Sequence, residues 1–250
     1  MSKKKLSKTV VLLDAHAILH RSYHAMGDFR THAGRPTGAL YGFINMVLRT
    51  HKELKPDYIA ACFDLPKPTF RHNAYEAYKG KREKGDDALI TQLAEAVTMC
   101  EALNIPVYSK EGYEADDMLG TISSQLKKEG DTKVIIASGD MDTLQLVDDD
   151  HVFVYTLRRG NDAALFNENE VIKKYGFAPK NIPDYKGLAG DSSDNIIGIK
   201  GIGEKTATEL IKNFDTIENL YKELKKKGGE EKFLKLGFKE RQINLIKVTW

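Results

Sequence analysis

Short apolar runs alternate along this chain with longer stretches in which apolar residues return every three or four positions. The runs VVLLD (10–14), DYIAACFD (57–64), IPVYS (105–109), KVIIAS (133–138) and HVFVYT (151–156) have the length and β-branched content of buried strands. Between them lie helix-period segments. Residues 37–54, capped by Thr37, place Leu40, Phe43, Ile44, Val47 and Leu48 on one face. Residues 87–103 and 114–130 form two more helices, the second stopped at Gly130. This alternation of strand and helix predicts an α/β fold, a mostly parallel sheet flanked by helices on both faces. After about residue 160 the strands stop and short helical patterns follow, joined by Gly, Pro and Asn. This predicts a core domain over 1–160 and a smaller helical subdomain over 161–250.

Residues 65–87 fit neither pattern. The stretch is too long for an ordinary connection and poor in core-facing apolar residues. It carries Lys67, Arg71, Lys79, Lys81, Arg82 and Lys84, interleaved with Phe70, Tyr75 and Tyr78. It is predicted to be mobile or loosely helical, with cations for phosphates and rings for unpaired bases.

Composition narrows the class only slightly. The chain has 250 residues, 41% apolar and 30% charged, with a net charge of +2. So weak a global charge means that attraction to nucleic acid has to come from local separation of charge. Two cysteines, Cys62 and Cys100, suggest no disulfide framework. No run approaches the ~18 apolar residues of a membrane helix. The N-terminal basic and apolar residues are interrupted by Asp14 and His16, unlike a signal peptide. A soluble cytoplasmic protein with no membrane association is expected.

The chemistry lies in the acids. Asp14 and Asp64 follow apolar runs directly. Glu114, Asp116 and Asp117 open a helix, Asp140 and Asp142 follow a strand, and Asp191 and Asp194 sit in GDSSDN. Strands that each end in a carboxylate would converge these groups outside the sheet's carboxyl edge, where open α/β sheets bind ligands. Like charges ~4 Å apart repel by roughly 4 kcal/mol at an effective dielectric of about 20. Such a pocket calls for hard divalent cations held by oxygen. Two ions ~4 Å apart, one serving the attacking water and one the leaving oxygen, would suit phosphoryl chemistry.

A second signal is GIKGIGEKTATELI (198–211). Gly198, Gly201 and Gly203 alternate with Ile199 and Ile202 before a helix begins near Glu204. Glycine turns at a helix N-terminus expose N–H groups to phosphate. The spacing is that of a helix-hairpin-helix, a non-sequence-specific DNA contact, with Lys205 and Thr206 following. His16, His20 and His24 recur at helical spacing and read as the polar face of an amphipathic helix rather than a zinc site. Arg21 and Tyr23 lie close enough to Asp14 in sequence to reach a substrate phosphate.

These motifs, in order and at their spacing, resemble one family. VVLLDAHAILHRSYHA, GRPTGALYGFINMVL, FDLPKPTFRHNAYEAYKGKR, GYEADDMLGTI, ASGDMDTLQLV and YGFAPKNIPDYKGLAGDSSDNIIGIKGIGEKTA are similar to the 5′–3′ exonuclease domain of bacterial DNA polymerase I, within the flap endonuclease superfamily. The likeness runs from about residue 9 to 213. It implies a PIN-like nuclease core with a helical arch over about 65–87 and a helix-hairpin-helix at about 187–213. It implies one metal group of Asp14, Asp64, Glu114 and Asp116 and a second of Asp117, Asp140, Asp142, Asp191 and Asp194. Lys79 and Arg82 match the family's basic arch residues, and Arg71, Tyr78 and Lys81 lie on the same arch. Residues 198–203 resemble a potassium-assisted duplex site. The family expectation is a two-metal 5′ nuclease using Mg²⁺ or Mn²⁺, acting as a monomer on 5′ flaps, nicks, 5′ single-stranded ends or RNA primers, alone or with a separate or fused polymerase. Two departures stand out: Ala15 follows Asp14 where relatives have Gly, and Ile197 precedes the hairpin where Pro is common. An RNA-cleaving PIN nuclease would not need the hairpin, and a DNA-binding module without activity would not keep nine acids.

Overall fold

The computed structural model describes residues 6–82, 85–157 and 163–249; Lys84 lies outside them. Contacts divide the chain into two compact units, Met1–Ala74 with Glu83–Asn167, and Tyr75–Arg82 with Glu168–Trp250.

The first unit holds a six-stranded sheet. Its elements in chain order are β1 (Lys8–Asp14), α1 (Ala15–Met26), α2 (Gly38–Leu54), β2 (Tyr58–Cys62), α3 (Phe70–Ala74), α4 (Asp87–Ala102), β3 (Val107–Tyr108), α5 (Ala115–Glu129), β4 (Thr132–Ala137), β5 (Val152–Leu157) and β6 (Ala163–Phe166). The strand order is β3-β2-β1-β4-β5-β6. β1 to β5 run parallel and β6 returns antiparallel. Central β1 is covered on both faces, so Val11, Leu12 and Leu13 are fully buried. That is why the run carries no polar alternation. α1, α2 and α4 pack Leu19, Phe43 and Ala96 into the same core as Val11 and Leu13. Thr37 occupies the N-cap of α2 as expected, though its side chain makes no capping bond. α5 stops at Gly130, whose φ of 78° is the left-handed conformation glycine adopts freely.

Two elements differ from the sequence expectation. β6 extends the first unit past residue 160, and the division between units falls after Asn167. Its four residues, AALF, are too few to show a period. Residues Met141–Leu146 form a 3₁₀ turn.

The second unit is helical: α6 (Glu168–Tyr175), α7 (Ile182–Ala189), α8 (Glu204–Phe214), α9 (Ile217–Leu224), α10 (Gly229–Lys235) and α11 (Glu240–Val248). Helices this short are marginal alone, so packing holds them. Phe214 stacks on fully buried Phe233 at 4.3 Å, and Leu210, Leu220 and Ile246 complete the core. Tyr75–Arg82, expected as a mobile part of the core domain, belongs to this unit by its contacts. Asn195 donates to the Ala77 carbonyl at 2.8 Å, and the Lys79 N–H donates to the Asp194 carbonyl at 3.0 Å.

Cys62 and Cys100 are buried free thiols. Among the described residues no helix is long and apolar enough to cross a membrane.

Candidate metal centre

Register places the acids. Asp14 ends β1 opposite Cys62 of β2, and Asp64 follows two residues later. Leu13 pairs with Ala137 of β4, so Asp140 lies three residues beyond that pair. All three therefore leave the sheet at its carboxyl edge. β1 and β4 are spatial neighbours but not consecutive in sequence, so this is where the strand order reverses and a crevice opens.

The carboxylates are held individually. Asp14 Oδ1 caps α1 by accepting from the Ala17 N–H at 3.1 Å, and Oδ2 accepts from Ser138 Oγ at 2.6 Å. Ser138 Oγ accepts in turn from the Asp140 N–H at 2.9 Å, tying the ends of β1 and β4 together. Asp64 Oδ1 accepts from the Ala115 N–H at 2.6 Å, fixing it to the first turn of α5. The Asp64 N–H donates to His16 Nδ1 at 3.2 Å. Asp140 Oδ1 accepts from the Asp142 N–H at 2.9 Å, opening the 3₁₀ turn. Glu114 is the buried N-cap of α5, and its N–H donates to Asp117 Oδ2 at 2.9 Å. Asp117 also receives both arms of Arg71, at 2.7 and 2.9 Å, the fork geometry that makes Arg–carboxylate pairs strong.

Asp116 is the electrostatic centre. Burial, followed by the charges of Asp14, Asp140, Asp64 and Glu114, pushes its carboxyl up to about 8. Asp14 rises to about 6, chiefly by burial, with Ser138 and the Ala17 N–H opposing and Asp140 and Asp64 adding. Burial and the charges of Asp14, Asp116 and Asp64 also push the Cys62 thiol up to about 12. Five carboxylates thus act on one another across one space.

Among the described residues no three His, Cys, Asp or Glu are gathered closely enough to hold a metal ion as they stand. Asp14, Asp64, Asp117 and Asp140 each accept from a donor close by in the first unit. Asp191 and Asp194 belong to the second unit and have cationic partners there. Asp191 accepts from Lys186 at 2.5 Å and from Ser193; these outweigh burial and hold it at about 2. Asp194 accepts from Tyr78 Oη at 3.0 Å and Arg82 at 2.8 Å. The shared field of the other acids still fits a hard cation. Asp14, Asp64, Glu114, Asp116 and Asp140 offer only oxygen donors, and their mutual repulsion is what a divalent ion relieves.

The folded-state pKa values of Asp14 and Asp116 lie above the ordinary value of 3.8. Unfolding therefore releases protons between about pH 4 and 8, and stability falls as pH rises through that window. In chelator the melting temperature should drop steadily from pH 5 to pH 8, and millimolar Mg²⁺ should restore it more at pH 8 than at pH 5. A flat profile would count against the shared field.

Among the other residues expected to serve, Arg21 turns back on the first unit, where its guanidinium donates to the Leu157 carbonyl and, at 3.5 Å, to Thr156. Tyr78, expected to stack on bases, is buried because its hydroxyl reaches Asp194. Lys79 Nζ lies 5.0 Å from the Tyr78 ring centre, and Lys81 and Arg82 are exposed. In the hairpin Ile199 and Ile202 are buried, anchoring the turn, while Gly201, Gly203 and Lys205 are exposed. Gly198 lies closer still to the backbone: a Cβ there would meet Gly190 N at 2.3 Å. Thr206 accepts from Gln242 at 3.1 Å.

Two positioning residues escaped the sequence reading, Ser138 and His16. Ser138 was visible only as a hydroxyl next to a strand-end acid, and His16 only as part of a helical histidine stripe.

Comparison with known proteins agrees with this architecture. Residues 9–176 match the model of the 5′-3′ exonuclease N-terminal resolvase-like domain, and residues 177–247 that of the 5′-3′ exonuclease C-terminal SAM fold. DNA polymerase I of Caldicellulosiruptor bescii is 39% identical over 87% of this chain, which spans only 26% of that protein's length. The 5′-3′ exonuclease of Aquifex aeolicus is 37% identical over 88% of this chain and 74% of its own. T5 5′-exonuclease, solved with zinc bound, superimposes with a TM-score of 0.78 at 20% identity, covering 97% of this chain and 85% of its own. With both halves matched in series, and 37% identity to an exonuclease across most of both chains, this chain belongs to the 5′–3′ exonuclease family.

Proposed function

We propose that this chain is a structure-selective 5′–3′ exonuclease and 5′-flap endonuclease that hydrolyses DNA phosphodiesters with two divalent ions, Mg²⁺ or Mn²⁺. The observation that carries the proposal is the strand register that brings Asp14, Asp64 and Asp140 to the sheet's carboxyl edge at the crevice where strand order reverses, with Asp64 bonded to the first turn of α5 beside Glu114 and Asp116. Asp14, Asp64, Glu114, Asp116 and Asp140 would hold one ion or share it with the second. Asp117 and Asp142 would serve the other. When bound, the ions supply positive charge to the phosphoryl oxygens and lower the pKa of water.

The chain's own residues do the rest. Ser138 keeps the Asp14 carboxylate in place, the Ala115 N–H does the same for Asp64, and His16 holds the Asp64 backbone. Asp116 and Asp140 present acceptor oxygens to the same space. Lys79 and Arg82 offset charge that builds on the phosphate during displacement. Arg82 first has to exchange Asp194 for substrate, and an exposed ion pair of this kind is weak enough to allow it.

Duplex is held by its backbone. N–H groups around Gly198, Gly201 and Gly203, with Lys205 and Thr206, would approach phosphates at the start of α8, where residues 198–203 would hold a potassium ion. Nothing in this set reads base edges, so selectivity rests on substrate shape. Substrates in this reading are 5′ flaps, nicks, 5′ single-stranded ends and RNA-primed ends. The setting is replication and repair in the cytoplasm, by a monomer working beside or joined to a polymerase. The test is a labelled 5′-flap duplex incubated with the protein. Mg²⁺-dependent release of the flap, abolished by chelator, is expected. An inert flap duplex alongside cleavage of single-stranded RNA would replace this reading with an RNA-cleaving one.

A further inference from the structure

Beside the acidic crevice, the first unit carries an open groove of about 810 Å³ that starts at Asp116 and Asp117 and continues onto a surface the roles above do not employ. One face of α5 forms its floor. Asp117, Thr121, Ser124 and Lys128 line it at helical spacing, so the groove follows about 16 Å of helix. Phe70 and Tyr113 form one wall, with ring centres 5.7 Å apart and 48% and 42% exposed. Lys110 lies 5.1 Å over the Tyr113 ring and Arg71 4.6 Å over Phe70. Gly120 lies on the floor in mid-helix, where glycine costs roughly 1 kcal/mol relative to alanine. Its φ is not positive and a Cβ would make only an ordinary contact, 3.5 Å from Leu146. Neither conformation nor close packing requires a glycine here. Its effect is to keep the groove deep.

We propose that this groove binds the single-stranded 5′ arm of the substrate, a few nucleotides that leave the metal centre past Asp116 and run along α5 toward Lys128. The inference rests on the nuclease reading and deepens it. Exposed rings at a groove wall give unpaired bases a stacking surface, worth ~1–3 kcal/mol per base. Lys110 and Lys128 meet phosphates at the sides, and Thr121, Ser124 and Gln125 supply polar contacts between. A duplex presents its bases to one another and gains nothing from Phe70 and Tyr113. The combination of rings, cations and a glycine floor therefore favours single strand over duplex.

The test measures binding of the full chain, in Ca²⁺ to suppress cleavage, to two labelled duplexes that differ only in a six-nucleotide 5′ flap. Tyr113→Ala combined with Lys128→Ala should reduce the affinity advantage of the flapped over the flapless duplex by about tenfold, the equivalent of one lost stacked base. Gly120→Leu, which fills the groove from its floor, should do the same, and Gly120→Ala much less. Melting temperatures identify any variant that fails to fold, and the remaining one then decides. An unchanged flap advantage in folded variants, with wild type still cutting the flap in Mg²⁺, overturns the groove and leaves the nuclease reading standing. Wild type that neither binds nor cuts either duplex overturns both.

Discussion

Replacing Asp116 with asparagine should give a protein that no longer cuts DNA yet is harder to unfold. Asp116 has the strongest rise among the described carboxylates because it is half-buried, so its charge is poorly solvated, and because it faces Asp14, Asp140, Asp64 and Glu114 together. An amide keeps the shape and removes the charge. Losing this oxygen donor should raise the barrier by about 4 kcal/mol or more, at least roughly a thousandfold in single-turnover rate with Mg²⁺. Stability should move the other way. At pH 8 in chelator the carboxyl is poised at its own folded pKa, after the unfolded chain has gained fully from ionisation. The asparagine form escapes that loss, so its melting temperature should exceed wild type at pH 8 and match it at pH 4. Opposite signs for rate and stability are the mark of a group kept for function at the expense of the fold. A wild-type rate, or a lower melting temperature at pH 8, would sink the assignment of Asp116 to the metal centre.

The second large effect belongs to the hairpin, where folding and binding can be separated residue by residue. Gly203 is the exposed N-cap of α8, with φ of −91° and nothing within 4 Å of an added Cβ. Valine there meets no clash but caps less well than glycine, so the melting temperature should fall only slightly. It should still cut duplex affinity by about tenfold, about 1.4 kcal/mol, if a phosphate approaches that N–H closely. Gly201 has φ of +94° and a Cβ there would press on Leu245 at 2.8 Å. Gly201→Val should therefore lose stability and affinity together. For both variants the slope of log affinity against log salt should flatten by about one unit, since each blocks one phosphate. Equal affinity and equal slope for Gly203→Val and wild type would remove phosphate contact at this turn.

The parallel sheet was legible because its strands are buried on both faces and read as unbroken apolar runs. Asp14 and Asp64 were legible for a related reason: a charge that ends such a run has to emerge at a sheet edge. β6 was not legible, because four residues carry no period. Tyr78 looked like a stacking ring because its neighbours are basic, but its hydroxyl finds Asp194, 116 residues away in sequence, and the ring follows it inward.

What the chain determined by itself is local: which segments are strand or helix, which acids stand at their ends, and where glycines allow a left-handed turn. Each of these is set within a few residues by burial period and backbone freedom. Only the tertiary structure decided that β1 lies beside β4, so that Ser138 bonds Asp14, and that Arg71 closes on Asp117 while leaving Asp116 to the other acids. Repulsion among carboxylates depends on distance through space, and strand order, rather than spacing along the chain, sets that distance.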